Sequence, residues 1–199
     1  MAKRILKEAI DRFYDYDILT STRTLFMGSM GTEGEDSGTD FAMAEAMIKG
    51  LHILDTTGTS PITIIMNNLG GDEYHGLAIY DAIRACKCEV HIKVFGHAMS
   101  MGSIILQAAD KRFMSPNSRC MIHYGTWDVP ADHPKITRKW AEEGQKFDTW
   151  MINMYLQNIR EKHPEFNYAD VDKLCDFDTI LTAQETVDLG LADEVLGES

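Results

Sequence analysis

Ser100 stands in the stretch Gly96-His97-Ala98-Met99-Ser100-Met101-Gly102-Ser103, directly after the apolar run that ends at Phe95. A serine between a buried strand and a buried helix can project its hydroxyl into a cleft. The amide of Met101, at the helix start, points the same way and is positive in character. On spacing alone Ser100 is a nucleophile or a helix cap, and serines often cap. The stretch is not the Gly-x-Ser-x-Gly elbow, because position 98 is alanine. A serine nucleophile needs a base. The histidines are His52, His75, His91, His97, His123, His133 and His163. His123 follows the apolar run Cys120-Met121-Ile122 and precedes Tyr124-Gly125, and strand ends in α/β sheets are where sites gather. A third member would be a carboxylate that fixes the imidazole tautomer. Asp172, Asp176 and Asp178 all precede the last helix, and spacing does not choose among them. Gly70-Gly71 closes the most apolar strand and is either a plain turn or a backbone that aims an amide at a ligand.

The elements that must position these residues alternate between strand and helix. Thr24–Met27 reads as a short strand and Gly28–Gly38 as a loop. Ser37 or Thr39 can cap a helix carrying Phe41, Ala44, Met47, Ile48, Leu51 and Leu54 at helical spacing. Pro61–Met66 has the continuous apolar run of a strand buried on both faces. A helix over Asp72–Ala85, a strand over Glu89–Phe95 and an apolar helix over Met101–Ala109 follow. Arg112–Met114 and Arg119–Ile122 are short strands. This order predicts right-handed crossovers in a layered α/β domain. Ile136–Lys162 predicts one long helix, stopped at His163-Pro164, about 40 Å in length at 1.5 Å per residue. Its stripe of Ile136, Trp140, Phe147, Trp150, Met151, Met154, Tyr155 and Ile159 is either core or an arm buried on another subunit. Thr182-Ala183-Gln184-Glu185 has capping-box form, and Gly190 is placed to end that helix.

Composition narrows the function classes. The 199 residues favour one domain and need no disulfides for a core. With 19 basic and 31 acidic residues, the net charge of −12 speaks against nucleic-acid binding. Cys86, Cys88, Cys120 and Cys175 match no zinc pattern and read as free thiols. No apolar run has membrane length and the N-terminus lacks a signal-peptide core, so a cytoplasmic protein is expected. There is no Gly-x-x-x-x-Gly-Lys-Ser/Thr, dinucleotide fingerprint or His-Glu-x-x-His, and no metal or cofactor is expected.

Several motifs together resemble the ClpP family of serine peptidases, the chamber subunits of ATP-dependent Clp proteases. Pro116-Asn117-Ser118-Arg119-Cys120-Met121-Ile122-His123 is similar to the family's Pro-Asn-Ser-Arg-x-Met-Ile-His. Gly96–Gly102 resembles Gly-x-Ala-Ala-Ser-Met-Gly, and Asn67–Gly71 resembles Asn-Ser-Pro-Gly-Gly with Leu69 at the proline. Asp178–Glu185 and Gly190–Asp193 resemble the family's C-terminal motifs. The resemblance covers roughly Leu25 to Leu196. It implies a crotonase-like α/β fold of repeated β-β-α-type units, with a long protruding handle helix within about 124–165. It makes Ser100 the nucleophile, His123 the base and Asp178 the orienting acid. It places the amides of Gly71 and Met101 in an oxyanion hole, and Gly70, Tyr124 and Gly125 in substrate binding.

It further implies a peptidase domain over 23–199 and an axial gate formed by residues 1–22. The subunits would form a homo-oligomer of two stacked seven-membered rings. A separate AAA+ unfoldase would feed it unfolded polypeptide, and neither nucleic acid nor membrane would be a partner. The sequence departs from the family at Tyr124-Gly125-Thr126-Trp127-Asp128, where Gln-Pro-x-Gly-Gly is usual, and at Thr179, where arginine is common. Two rivals are an acyl-CoA enzyme of the crotonase type and a non-catalytic ring subunit. Neither requires the serine, histidine and aspartate together.

Overall fold

The structure is a computed structural model that describes residues 13, 15–28, 38–126 and 133–197. Most of the Ile5–Tyr14 arm, most of the Gly28–Gly38 loop, Trp127 and Asp128 lie outside the described residues. Among the described residues, eight strands form one sheet. They are β1 (Ile18–Leu19), β2 (Thr24–Gly28), β3 (Ile62–Asn68), β4 (Val90–Met99), β5 (Lys111–Met114), β6 (Arg119–Ile122), β7 (Thr179–Thr182) and β8 (Glu194–Val195). The main path runs β1-β2-β3-β4-β5-β8, with β6 on β4 and β7 on β6. The pairs from β2 to β8 along this path are parallel, and β1 and β7 pair antiparallel to their neighbours.

Within residues 38–197 the described helices are α1 (Phe41–Thr57), α2 (Glu73–Arg84), α3 (Met101–Leu106), α4 (Pro134–Ile159), α5 (Tyr168–Cys175) and α6 (Ala183–Leu189). Helix α1 packs on α2, α2 on α3, and α4 on α5. Ile62, Ile64 and Met66 of β3 and Val90, Ile92 and Val94 of β4 are fully buried at the centre of the core. The layered α/β expectation holds, with parallel strands linked by helices.

Strand β4 does two jobs, and this shapes the site. Its first half, His91–Val94, pairs with β5, and its second half, His97–Met99, pairs with β6. The strand turns from one partner to the other at Gly96, whose φ of +90° is open to glycine. A Cβ there would lie 2.5 Å from Asn67 Oδ1. The sequence suggested a strand ending at Phe95. The continuation to Met99 carries the chain to Ser100.

Other boundaries differ for local reasons. Asp40, not Ser37 or Thr39, caps α1, by accepting from the Met43 amide. The Thr39 hydroxyl is engaged elsewhere, donating to Asn68 Oδ1. Helix α3 stops at Leu106, short of Ala109. Helix α5 and strand β7 were not expected from the sequence. The Asn167–Asp170 capping box starts α5.

Helix α4 has two characters. From Met151 to Ile159 its apolar side chains are core: Met151, Ile152, Tyr155 and Ile159 are at most 1 % exposed. Polar bonds fasten this half. Asn158 and Arg112 both donate to Gln107 Oε1, and Arg112 forms an ion pair with Asp193 at 2.6 Å. The first half is exposed, with Ile136 and Trp140 among the large apolar side chains that face outward.

Candidate active site

Ser100 joins β4 to α3 in a strained conformation. Its φ is +51° and ψ −122°, a region that costs a non-glycine residue about 1–3 kcal/mol. The neighbours on both sides hold it there. Its amide donates to the Met121 carbonyl at 2.9 Å. Its own carbonyl accepts from the Ser103 amide at 2.9 Å and the Ser103 hydroxyl at 2.6 Å. Ser103 also bonds the buried Tyr155 hydroxyl of α4 at 2.6 Å. The side chain does not cap α3, so the capping alternative fails and the hydroxyl is free to turn outward.

Ser100 Oγ lies 2.8 Å from His123 Nε2. On the other side of the ring, His123 Nδ1 lies 2.9 Å from Asp178 Oδ1. A neutral imidazole with its proton on Nδ1 satisfies both bonds: it donates to Asp178 and accepts from Ser100. Of the three aspartates, only Asp178 meets the histidine. Asp172 accepts a bond from the Tyr124 hydroxyl, and Asp176 is the C-cap of α5. His123 is positioned at the end of β6, which is fixed between β4 and β7. The next residue is tied down by its amide, which donates to the Cys175 carbonyl.

The glycine turn packs directly on the serine. A Cβ on Gly70 would lie 2.6 Å from Ser100 Cβ and 3.1 Å from the Met101 nitrogen, so no side chain fits. Gly71, at φ +142°, pairs with Thr39, and a Cβ there would lie 2.4 Å from the Thr39 nitrogen. Thr39 thus holds the turn: its carbonyl accepts from the Asp72 amide, and its amide donates to the Gly70 carbonyl. Asn68 Oδ1 completes the clamp by accepting from the Gly70 amide at 2.8 Å. Among the described residues, no hydrogen bond uses the N–H of Gly71 or of Met101.

A cleft of about 510 Å³ opens beside these groups. Gly71, Ser100, Met101, His123 and Gly125 line it. Gly70 and Tyr124 do not. Gly70 lies behind the serine, and the Tyr124 hydroxyl turns away to Asp172. The sequence reading missed Thr39, Asn68, Ser103 and Tyr155, which support the site, and Glu73, Trp140, Phe147 and Met151, which line the cleft. Cys120 lies on β6 three residues before His123, but burial pushes its thiol up to about 12, so it is no rival nucleophile. Among the described residues no His, Cys, Asp and Glu side chains gather in a way that could hold a metal ion. No described helix is long and apolar enough to cross a membrane.

A sheet with helical crossovers and a serine hydrogen-bonded through histidine to aspartate define a protein of the serine hydrolase class. The Clp protease family model matches residues 10–199, and the chain belongs to that family. An ATP-dependent Clp protease proteolytic subunit of Deinococcus radiodurans is 31% identical over 193 residues, covering 95% of this chain and 88% of the relative. Proteolytic subunit 1 of Protochlamydia amoebophila is 35% identical over 164 residues, covering 79% and 76%. The solved structure of a ClpP1 point mutant from Listeria monocytogenes superimposes with a TM-score of 0.75 at 27% identity, covering 89% of this chain and 93% of that one. The fold is therefore the crotonase-like ClpP fold, and the chain is a Clp-type serine protease subunit. The acyl-CoA alternative is set aside by this family membership.

Proposed function

We propose that Ser100, His123 and Asp178 cleave peptide bonds by acyl transfer. Ser100 Oγ attacks the scissile carbonyl carbon as its proton passes to His123 Nε2. Asp178 keeps the imidazole in the required tautomer and stabilises the imidazolium that forms. The amides of Gly71 and Met101 receive the oxyanion, where prearranged donors lower the barrier most. His123 then gives the proton to the leaving amine, and water releases the acyl group by the same steps in reverse. The unbroken line of hydrogen bonds from Ser100 through His123 to Asp178 carries this reading.

The subunit works in a homo-oligomer with an ATPase partner. This chain has no nucleotide-binding motif of its own, and the relatives are named as subunits of ATP-dependent proteases. The finer form is two stacked seven-membered rings, with α4 as the interlocking handle and residues 1–22 as the gate where an AAA+ unfoldase feeds unfolded chain. Apolar side chains left exposed on α1 and α4, including Phe41, Ile53, Ile136 and Trp140, support a multi-subunit assembly. A chamber of this kind lets a peptidase reside in the cytoplasm without digesting it.

Hydrolysis of a fluorogenic peptide by purified protein tests the site. Ser100→Ala lowers kcat by about 10⁴-fold or more while leaving the assembly intact. Asp178→Asn costs far more activity than Asp176→Asn. Near-wild-type turnover by Ser100→Ala overturns the assignment.

A further inference from the structure

Glu73 opens α2 and lines the same cleft as Ser100 and His123. The helix start does not depend on it, because Asp72 is the N-cap and accepts from the His75 amide at 3.0 Å. Among the described residues, no hydrogen bond or ion pair engages the Glu73 carboxyl. Asp148 and Glu143 of α4, together with the neighbouring Asp72, act on the Glu73 carboxyl as like charges. Lys146, the nearby cation of α4, is already paired with Glu143 at 2.7 Å. Among the described residues that line the cleft, none is a lysine or arginine. Burial first, and these acids second, push the Glu73 carboxyl up to about 7. An unpaired, half-buried acid in the same cleft as Ser100 is suited to a cationic ligand, whose charge would offset the cost of burial and of the neighbouring acids.

The rest of the lining fits the stem of such a ligand. Met101, Ile104, Phe147 and Met151 give an apolar wall, and Trp140 offers an aromatic face. A long side chain with an aliphatic stem and a cationic tip matches this pairing of surfaces. Taking the peptidase reading above as its basis, we propose that Glu73 is a specificity residue that selects a lysine or arginine side chain of the peptide near the scissile bond. The stem lies along Ile104, Phe147 and Met151, and the cation meets the Glu73 carboxylate.

Fluorogenic tripeptides with lysine or norleucine placed in turn at each position before the scissile bond test it. The two side chains share a stem and differ in the cation. At one position the wild type favours lysine in kcat/KM, and Glu73→Gln lowers that lysine-to-norleucine ratio about ten-fold, the size of one charge-assisted contact. Glu73→Lys, at the same position, turns the preference towards norleucine. High salt weakens the wild-type ratio and not that of Glu73→Gln. A ratio unchanged by Glu73→Gln at every position overturns the proposal while leaving the peptidase reading intact. Loss of discrimination cannot be confused with loss of the triad, because Ser100→Ala removes turnover of both peptides. Anisotropy of fluorescein-labelled lysine and norleucine peptides on Ser100→Ala gives the same ratio from binding. Equal affinity there also overturns the proposal.

Discussion

The two halves of α4 follow one apolar periodicity and have opposite fates. From Met151 to Ile159 the stripe completes the core, and Tyr155 reaches through Ser103 to the carbonyl of Ser100. From Pro134 to Gln145 the helix has only Gly144 buried, and Ile136 stands 42 % exposed. Periodicity therefore marks a face but does not say what covers it. The second half is buried in the domain's core, whereas the first half is left largely at the surface, with Trp140 also facing the cleft. Trp150 sits at the join. It packs edge-on against Tyr80 at 5.3 Å and beside Phe147, so a charge there would disturb the monomer as well as any assembly.

Substitutions on either side of that join separate the two roles. The largest effect belongs to the core half. Ile152→Ala, at a fully buried position, costs about 2–5 kcal/mol of stability, read as a shifted denaturant midpoint. A loss under about 1 kcal/mol would place this half outside the cooperative core. Ile136→Asp, in the exposed half, changes the unfolding free energy of the subunit by about 0.5 kcal/mol or less. It lowers the assembled mass seen by light scattering instead. An unchanged mass, or a wild-type monomer at micromolar concentration, would contradict the handle reading.

A third effect, dependent on pH, belongs to the cleft wall contributed by α2. The Glu73 carboxyl titrates near 7 in the fold against an ordinary value of 4.5. Both states are protonated below that ordinary value, so Glu73 then contributes nothing. As pH rises through the window between the two values, the unfolded chain ionises first and the fold loses stability. Glu73→Gln removes that loss. The variant therefore gains stability over the wild type between about pH 5 and about pH 8, by urea melts, with Asp72, Glu143 and Asp148 unchanged. A constant difference across that range would show that the carboxyl is not raised.

Much of the site was legible because its parts lie at ends of apolar strands. Ser100, Met101 and His123 follow buried runs, and the Gly70-Gly71 pair closes another. Which aspartate meets His123 was not legible from spacing. Asp178 lies 55 residues from His123, and what singles it out is that Asp172 is taken by Tyr124 and Asp176 by the end of α5. Only the family resemblance had pointed to Asp178. Strand β7 escaped notice because it pairs with β6 alone and leaves Ile180 exposed, so it lacks an inward apolar alternation. The role of Thr39 was hidden for a different reason. A threonine beside a helix start reads as a cap, and only the tertiary fold brings it to Asn68 and Gly71. The start of α5 had a usable signal in Asn167 and Asp170, the two polar ends of a capping box.

In the proposed mechanism His123 and Asp178 make Ser100 a nucleophile. Treatment of the purified protein with a fluorophosphonate probe, followed by peptide mass mapping, tests it most directly. A single covalent adduct on Ser100 is expected, lost in Ser100→Ala and strongly slowed in His123→Ala. An unlabelled Ser100, or labelling that survives both substitutions, would contradict it.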